Sequence, residues 1–562
     1  MNELTVAEAV VRVFNREEVP FVAGVPGGGL MEILDSMYKD PKSRFILVRH
    51  EQSASFMAHG YARVQGKPAV CMASRGGGAA NMAIGIWGSF VESTPMVAIT
   101  GQVGTKFLDR GAFEEADVNE FMRPITKWSR QVPTADRVPE YLEEAFRVCQ
   151  TGRPGPAHLA IPFDFPAQKI REEFVEGICY TKPSNEVYPS PKLVEAAASL
   201  LLDSLKPVMI VGGGVISARA SQEALDLAEF LTMPVVTTWQ RKPMDERHDL
   251  VMGNMGVAGT SPSATVLREA DVVLAVGCRF SEMSTEQYQL KFGPKTKVIH
   301  IDIDPNVIGK VVPVSIGIVA HAKIALRQLT DLIKARLAEL GLKRKNEERL
   351  AELKRLKRSW IEELQSRNFD AEPIIIARVV TDLRDFLGEG DAVVLDSGNF
   401  IHDSSWYFTS YNPWNYIYPT GGLMGFGLPG AMGVKLALPN SRVVCLAGDG
   451  GFSMTVQELE TALRENIPVV CVVLNNMCLG NIKVRQKLKF NSRFIGCDFT
   501  PPQNFALIAQ GFGAYGERVT KPADIKPALD RAFSSGRVAV IDVVIDPNDI
   551  SQAQAGRCWW KV

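Results

Sequence analysis

The stretch RVVCLAGDGGFSMTVQELETALRENIPVVCVVLNNMCLG, residues 442–480, decides how the chain is read. It opens on an apolar run (residues 442–447) that breaks at Gly448-Asp449-Gly450-Gly451. A helical pattern follows, and a second apolar run (residues 468–474) ends at Asn475-Asn476. Short apolar runs on either side of an amphipathic segment spell strand, helix, strand, with the two strands parallel. Thr455-Val-Gln-Glu458 has the spacing of a capping box and predicts the helix start. Both strands then end on one sheet edge, where open α/β sheets bind ligands. An acid, an amide oxygen and several glycines on such an edge suit a hard cation with oxygen ligands, Mg²⁺ in particular. Mg²⁺ fills its shell with few protein groups plus waters and substrate phosphates. The glycines let backbone N–H groups approach a diphosphate.

Alternation of the same kind runs outward in both directions and predicts an α/β fold of three domains, each a parallel sheet flanked by helices. The first domain covers residues 1–185. Thr5-Val-Ala-Glu8 is a capping box, apolar runs near 20–25, 44–48 and 69–73 read as strands, and a helix is expected from about Gln52 to Val64, stopped by Gly66. The second covers residues 190–340, with strands expected at 207–211, 234–238, 271–277 and 297–302. A charged connector helix fills 341–370, its mixed charges at i,i+4 spacing. The third domain, with the C-terminal tail, covers 371–562. The whole chain has 562 residues, with 62 Lys+Arg against 63 Asp+Glu. That balance argues against a nucleic-acid partner, since phosphate binding needs a basic excess. No apolar run is long enough to span a bilayer and no secretory signal is visible. The nine cysteines show no metal-site spacing, so a cytoplasmic location is expected.

GDG followed by NN at this spacing resembles the thiamine diphosphate signature. Arg49-His-Glu-Gln52 with Ala58-His-Gly-Tyr-Ala-Arg63 resembles the catalytic-glutamate segment of that superfamily. Thr100-Gly-Gln-Val103, Ala112-Phe-Glu-Glu115, Gly152-Arg-Pro-Gly-Pro-Ala157, Ile301-Asp-Ile-Asp-Pro305 and Gly422-Leu-Met-Gly-Phe-Gly-Leu-Pro429 look like acetolactate synthase large subunits. The resemblance implies a pyrimidine-binding, a central and a diphosphate-binding domain in that order. It implies Mg²⁺ held by Asp449, Asn476 and the carbonyl of Cys478. Thiamine diphosphate would lie among Gly398, Asn399, Gly422, Met424, Gly448, Gly450, Gly451, Leu479 and Gly480. Met424 would sit beneath the cofactor, and Glu51 of a neighbouring subunit would contact its aminopyrimidine ring. Decarboxylation of a 2-oxo acid and carboligation follow, in a homodimer or homotetramer with sites at subunit interfaces.

Several positions depart from that family's pattern. Ser74-Arg-Gly-Gly-Gly78 replaces its Gly-Pro-Gly turn, and Arg75 reads equally as solvent-facing. Glu114 stands where the family has Gln and could move a proton. Arg485 stands where the family places a tryptophan that selects the acceptor; arginine pairs bidentately with carboxylate or phosphate, so an anionic substrate or acceptor is expected. Glu114 and Arg485 therefore join Glu51 as candidate catalytic residues. Gly398-Asn399-Phe400 replaces a Gly-Gln-His, with His402 read as structural. FAD or ADP in the central domain stays open, because the segment after Gly277 lacks the Arg-Phe-Asp-Asp run of FAD-bearing relatives. A 2-hydroxyacyl-CoA lyase or oxalyl-CoA decarboxylase-like enzyme, and a catalytically inactive cofactor-binding homologue, are the alternatives. Gly212-x-Gly214-x-x-Ser217 misses a dinucleotide fingerprint, so NAD binding is weakly indicated.

Overall fold

A computed structural model describes residues 3–176, 186–290, 292–341 and 346–551. The first domain boundary near 185, part of the connector's start and the C-terminal tail from residue 552 lie outside the described residues.

Three six-stranded sheets form, each wholly parallel. The first is ordered Arg44–Leu47, Phe21–Gly24, Ala69–Ala73, Met96–Gln102, Pro156–Pro162, Trp128–Gln131. The third is ordered Tyr416–Ile417, Ala392–Leu395, Val443–Gly448, Val470–Asn475, Ala539–Val544, Tyr515–Val519. Numbered along the chain within each domain, both read 2-1-3-4-6-5. The middle sheet runs Val251–Asn254, Val235–Thr237, Pro207–Val211, Val272–Val276, Lys297–Asp302, Ile316–Val319, the 3-2-1-4-5-6 order of a doubly wound nucleotide-binding fold. The central strands are buried along their length, save Gly448 at the end of Val443–Gly448, as sheets covered on both faces require.

Local chemistry explains several boundaries. Thr5 and Glu8 form both capping-box bonds and open the helix Val6–Arg16. The helix Glu51–Gln65 stops at Gly66, whose φ of 67° a side chain would disfavour. The expected capping box at Thr455 does not form. The helix there is Glu458–Arg464, with no side-chain cap. Thr455 Oγ1 instead donates to the Gly425 carbonyl. The buried Glu458 carboxylate accepts the Arg49 N–H at 3.1 Å and the Thr461 hydroxyl at 2.7 Å. Tertiary contacts have taken both capping groups.

The outer domains meet along the helices Glu51–Gln65 and Gly427–Ala437. The crossing is glycine-tight: a Cβ on Gly60 would lie 2.3 Å from the Gly430 carbonyl oxygen, and one on Gly433 would lie 2.1 Å from that of Met57. All three domains meet at Glu92, whose side chain is 1% exposed. Arg63 and His59 reach it from the first domain and Arg241 Nη2 from the second at 3.0 Å. From the third domain it accepts both the backbone N–H and the hydroxyl of Thr420. The helix Glu347–Gln365 is docked rather than free-standing. Lys357 Nζ donates to the carbonyls of Glu246 and His248, and Trp360 packs edge-on against Trp406 at 4.7 Å.

Candidate active site

The third sheet reverses its direction of winding between Ala392–Leu395 and Val443–Gly448, and a cleft opens beyond their carboxyl ends. Eleven of the expected residues line it: Gly398, Asn399, Met424, Gly448, Asp449, Gly450, Gly451, Asn476, Cys478, Leu479 and Gly480. Gly422 lies two residues before Met424 in the same turn, with a φ of 73°.

Asp449 begins the short helix Asp449–Ser453, and its side chain is 3% exposed. Oδ1 accepts the Gly450 N–H at 2.8 Å. Oδ2 and Asn476 Oδ1 both lie 3.3 Å from the Cys478 N–H. Burial pushes the Asp449 acid up to about 6 against the pull of the backbone amides of Gly450, Met477, Cys478 and Asn476. No ion pair offsets this charge among the described residues. Met477, at φ 55°, turns the chain so that residues 477–479 form a bridge with 497–499, through Leu479 N–H to the Cys497 carbonyl and Phe499 N–H to that of Met477. In this pattern the N–H and C=O of Cys478 both face away from Asp498, and the N–H faces Asp449. The buried Asp449 carboxylate, lacking a counter-charge among the described residues, thus stands beside the Asn476 amide oxygen and the Cys478 backbone. That donor set fits Mg²⁺. The glycine-lined crevice, open to backbone N–H groups, fits a diphosphate beside it.

Sequence reasoning passed over the group that shapes this cleft. Asp396 is fully buried and accepts the N–H groups of Ser397 at 2.6 Å, Gly427 at 2.9 Å and Gly425 at 3.0 Å. It ties the end of Ala392–Leu395 to the turn that carries Met424. A Cβ on Gly451 would come within 2.7 Å of its Oδ1. The only signal in the sequence is an acid ending a buried strand. The two asparagines also divide their work: Asn475 Nδ2 donates to Asp542 at 2.9 Å and to the Gln503 carbonyl, leaving Asn476 to face Asp449.

Glu51 and Glu114 line no part of this cleft; they sit together at the carboxyl edge of the first sheet. Glu51 opens its helix, capped by His50, and accepts Asn81 Nδ2 at 2.9 Å. The glycine start of the helix Gly76–Glu92 makes room for it: a Cβ on Gly78 would lie 3.2 Å from Glu51 Oε1. Glu114, at φ 61°, pairs with Arg75 Nε at 3.3 Å. Arg75 is therefore not the solvent-facing cation of one sequence reading; its side chain is 17% exposed. Arg485 lies on the helix Gly480–Lys489, beyond the residues that line the cleft, and partial burial lowers its pKa. His402 is buried off the cleft, and burial lowers its pKa to about 4, so it is neutral.

A second, larger cavity lies at the carboxyl edge of the middle sheet. Gly213, Gly214, Arg153, Arg241, Arg279 and Asp302 are among its lining residues. No helix among the described residues is long and apolar enough to cross a membrane.

Comparison with known proteins places the geometry in context. Three thiamine pyrophosphate enzyme models match: the N-terminal binding domain over residues 4–121, the central domain over 194–329 and the C-terminal binding domain over 396–543. A probable acetolactate synthase large subunit of Methanocaldococcus jannaschii is 37% identical, with 96% of this chain and 92% of that protein covered. The acetolactate synthase large subunit of Haemophilus influenzae is 35% identical, with 98% and 96% covered. The isozyme 3 large subunit of Escherichia coli K12 is 34% identical over the same shares.

Proposed function

Since the chain belongs to the thiamine pyrophosphate enzymes, in the acetolactate synthase large-subunit family, we propose that its cleft at Asp449 holds thiamine diphosphate through Mg²⁺ for decarboxylation of a 2-oxo acid and carboligation. The observation that carries this reading is the convergence of Asp449, Asn476 and the Cys478 backbone on a glycine-lined crevice. Bound thiamine diphosphate supplies the electron sink for loss of CO₂. The chain supplies the rest. Asp449, Asn476 and the Cys478 carbonyl hold the metal. Gly398, Asn399, Gly448, Gly450, Gly451, Leu479 and Gly480 receive the diphosphate, and Met424, with Gly422 behind it, supports the rings. Glu51, oriented by Asn81, holds a proton at a ring nitrogen. Glu114 moves a proton on the substrate side, and Arg485 meets an anionic group of substrate or acceptor.

Glu51 and the Asp449 cleft sit on different sheets, which supports a site shared by two copies of the chain. Ile84 and Trp87, on the helix that carries Asn81, and Met454, beside the Asp449 helix, are partly exposed apolar side chains suited to that contact. We infer a homodimer at least, with a homotetramer as its pairing, in the cytoplasm. The arginine-lined middle cavity suits an anionic nucleotide, FAD or ADP. It is also the observation that favours a second reading, an acyl-CoA substrate whose ADP portion rests there.

The test is CO₂ release from pyruvate with thiamine diphosphate and Mg²⁺. Glu51→Gln should lower kcat roughly 10²–10⁴-fold, the usual range for a lost acid–base group, while cofactor binding persists. Asp449→Ala should abolish Mg²⁺-dependent cofactor binding itself. Full activity in either variant refutes the assignment. Release of CO₂ or cleavage only with acyl-CoA substrates selects the second reading.

A further inference from the structure

Arg75 follows the strand Ala69–Ala73, at the point where the first sheet reverses its winding beside Phe21–Gly24. Its side chain crosses the carboxyl ends of several strands. A Cβ on Gly28, past the first strand, would lie 3.8 Å from Arg75 Nη2, and one on Gly101 would lie 3.3 Å from Arg75 Cγ. The guanidinium carbon stands 5.6 Å from the centre of the Phe163 ring. Arg75 Nε lies 3.3 Å from Glu114 Oε2 but is buried without a hydrogen-bond partner, and neither terminal Nη group makes a hydrogen bond among the described residues. The guanidinium therefore keeps donors to offer, among them the end-on pair of Nη groups, a planar fork that matches a carboxylate. Partial burial strengthens what such a fork can hold.

Two sequence departures meet here. Arg75 and Glu114 lie far apart in the chain, each breaks the family pattern, and they form one ion pair. That pair holds the guanidinium at the carboxyl edge of the sheet, beside its switch in winding, where α/β sheets receive ligands. Glu51 approaches the same helix at Gly78, about one turn or roughly 5 Å further along its axis. An anion on Arg75 would therefore lie within reach of chemistry directed by Glu51.

We propose that Arg75, oriented by Glu114, is a carboxylate subsite that selects a 2-oxo acid bearing a second, distal carboxylate. This rests on the 2-oxo acid reading of the preceding subsection. The experiment compares 2-oxoglutarate with pyruvate in CO₂ release by the wild type, Arg75→Ala and Arg75→Lys. In a second arm, calorimetry follows glutarate and butyrate, which do not react, binding to the protein without cofactor. The wild type should favour 2-oxoglutarate and bind glutarate over butyrate. Arg75→Ala should lower the 2-oxoglutarate-to-pyruvate ratio of kcat/KM roughly 10- to 150-fold, through KM, as expected for a lost hydrogen-bonded charge. Arg75→Lys, which keeps the charge without the fork, should fall between, and it serves if the alanine variant does not fold. A wild type without preference for the diacid, or an unchanged ratio in the folded variant, overturns the proposal while leaving the 2-oxo acid reading intact. Arg75-dependent glutarate binding in a protein that decarboxylates no 2-oxo acid supports the subsite and defeats that reading.

Discussion

Glu92→Gln is the sharpest test of how the three domains are joined. The substitution keeps size and shape while removing the charge and turning one acceptor oxygen into an NH2 among groups that all donate. Burial alone would raise the Glu92 acid; Arg63, His59 and the Thr420 hydroxyl overcome it and hold the acid at about 2 instead of 4.5. That gap of 4.5 − 2 corresponds to about 3 kcal/mol of stability present above pH 4.5 and lost as pH falls toward 2. The amide would leave Arg63 and Arg241, 11% and 7% exposed, without their counter-charge, and breaking a buried pair costs roughly 3–5 kcal/mol. Urea unfolding followed by tryptophan fluorescence reports the loss, Trp239 lining the cavity beside Arg241. At neutral pH the variant should be less stable by about 3 kcal/mol. The difference from wild type should shrink as pH falls through 4.5 toward 2, because protonation removes the same charge from Glu92. A difference below about 1 kcal/mol, the range of exposed ion pairs, or one that stays constant with pH, would refute the account of Glu92 as a charged junction.

Other outcomes follow from the same structure. Gly433→Ala places a Cβ 2.1 Å from the Met57 carbonyl oxygen and should lower stability by about 1–3 kcal/mol or more; an unchanged thermal midpoint would contradict the helix crossing. Asp396→Asn puts an amide against three backbone N–H groups and should weaken thiamine diphosphate binding roughly 10- to 150-fold, read by titration of cofactor-dependent activity. Mixed after denaturation and refolding, Glu51→Gln and Asp449→Ala chains should regain about a quarter of wild-type activity if each site draws on two subunits; none returns if each site belongs to one chain.

What the sequence made legible was local. The strands Ala69–Ala73 and Pro207–Val211 match their expected limits because each is an apolar run with turn-forming or charged neighbours, and Lys297–Asp302 matches as an alternation around Val298, Ile299 and Ile301. The helix Glu51–Gln65 was readable from its periodicity and from Gly66. The pairing of Asp449 with Asn476 followed from a single strand–helix–strand unit, where geometry is set by adjacency. Thr455 and Glu458 mark the limit: their spacing is right for a cap, yet partners 30 and 409 residues away claim them. Tyr515–Val519, a polar edge strand, carries no apolar run to detect. Asp396, Glu92 and the Arg75–Glu114 pair depend on contacts between distant segments, which no spacing rule encodes.

The shared strand order of the outer domains has a consequence for electrostatics. In each, the turn after the third strand enters the crevice. That turn bears Arg75 in one domain and Asp449 in the other. A single architectural position has thus been given opposite signs. On the proposed roles, the cationic copy would meet a negative group directly, and the anionic copy would need a cation between itself and a phosphate. The scaffold would then set where a ligand is received, and one residue at that position whether it is received bare or through a metal.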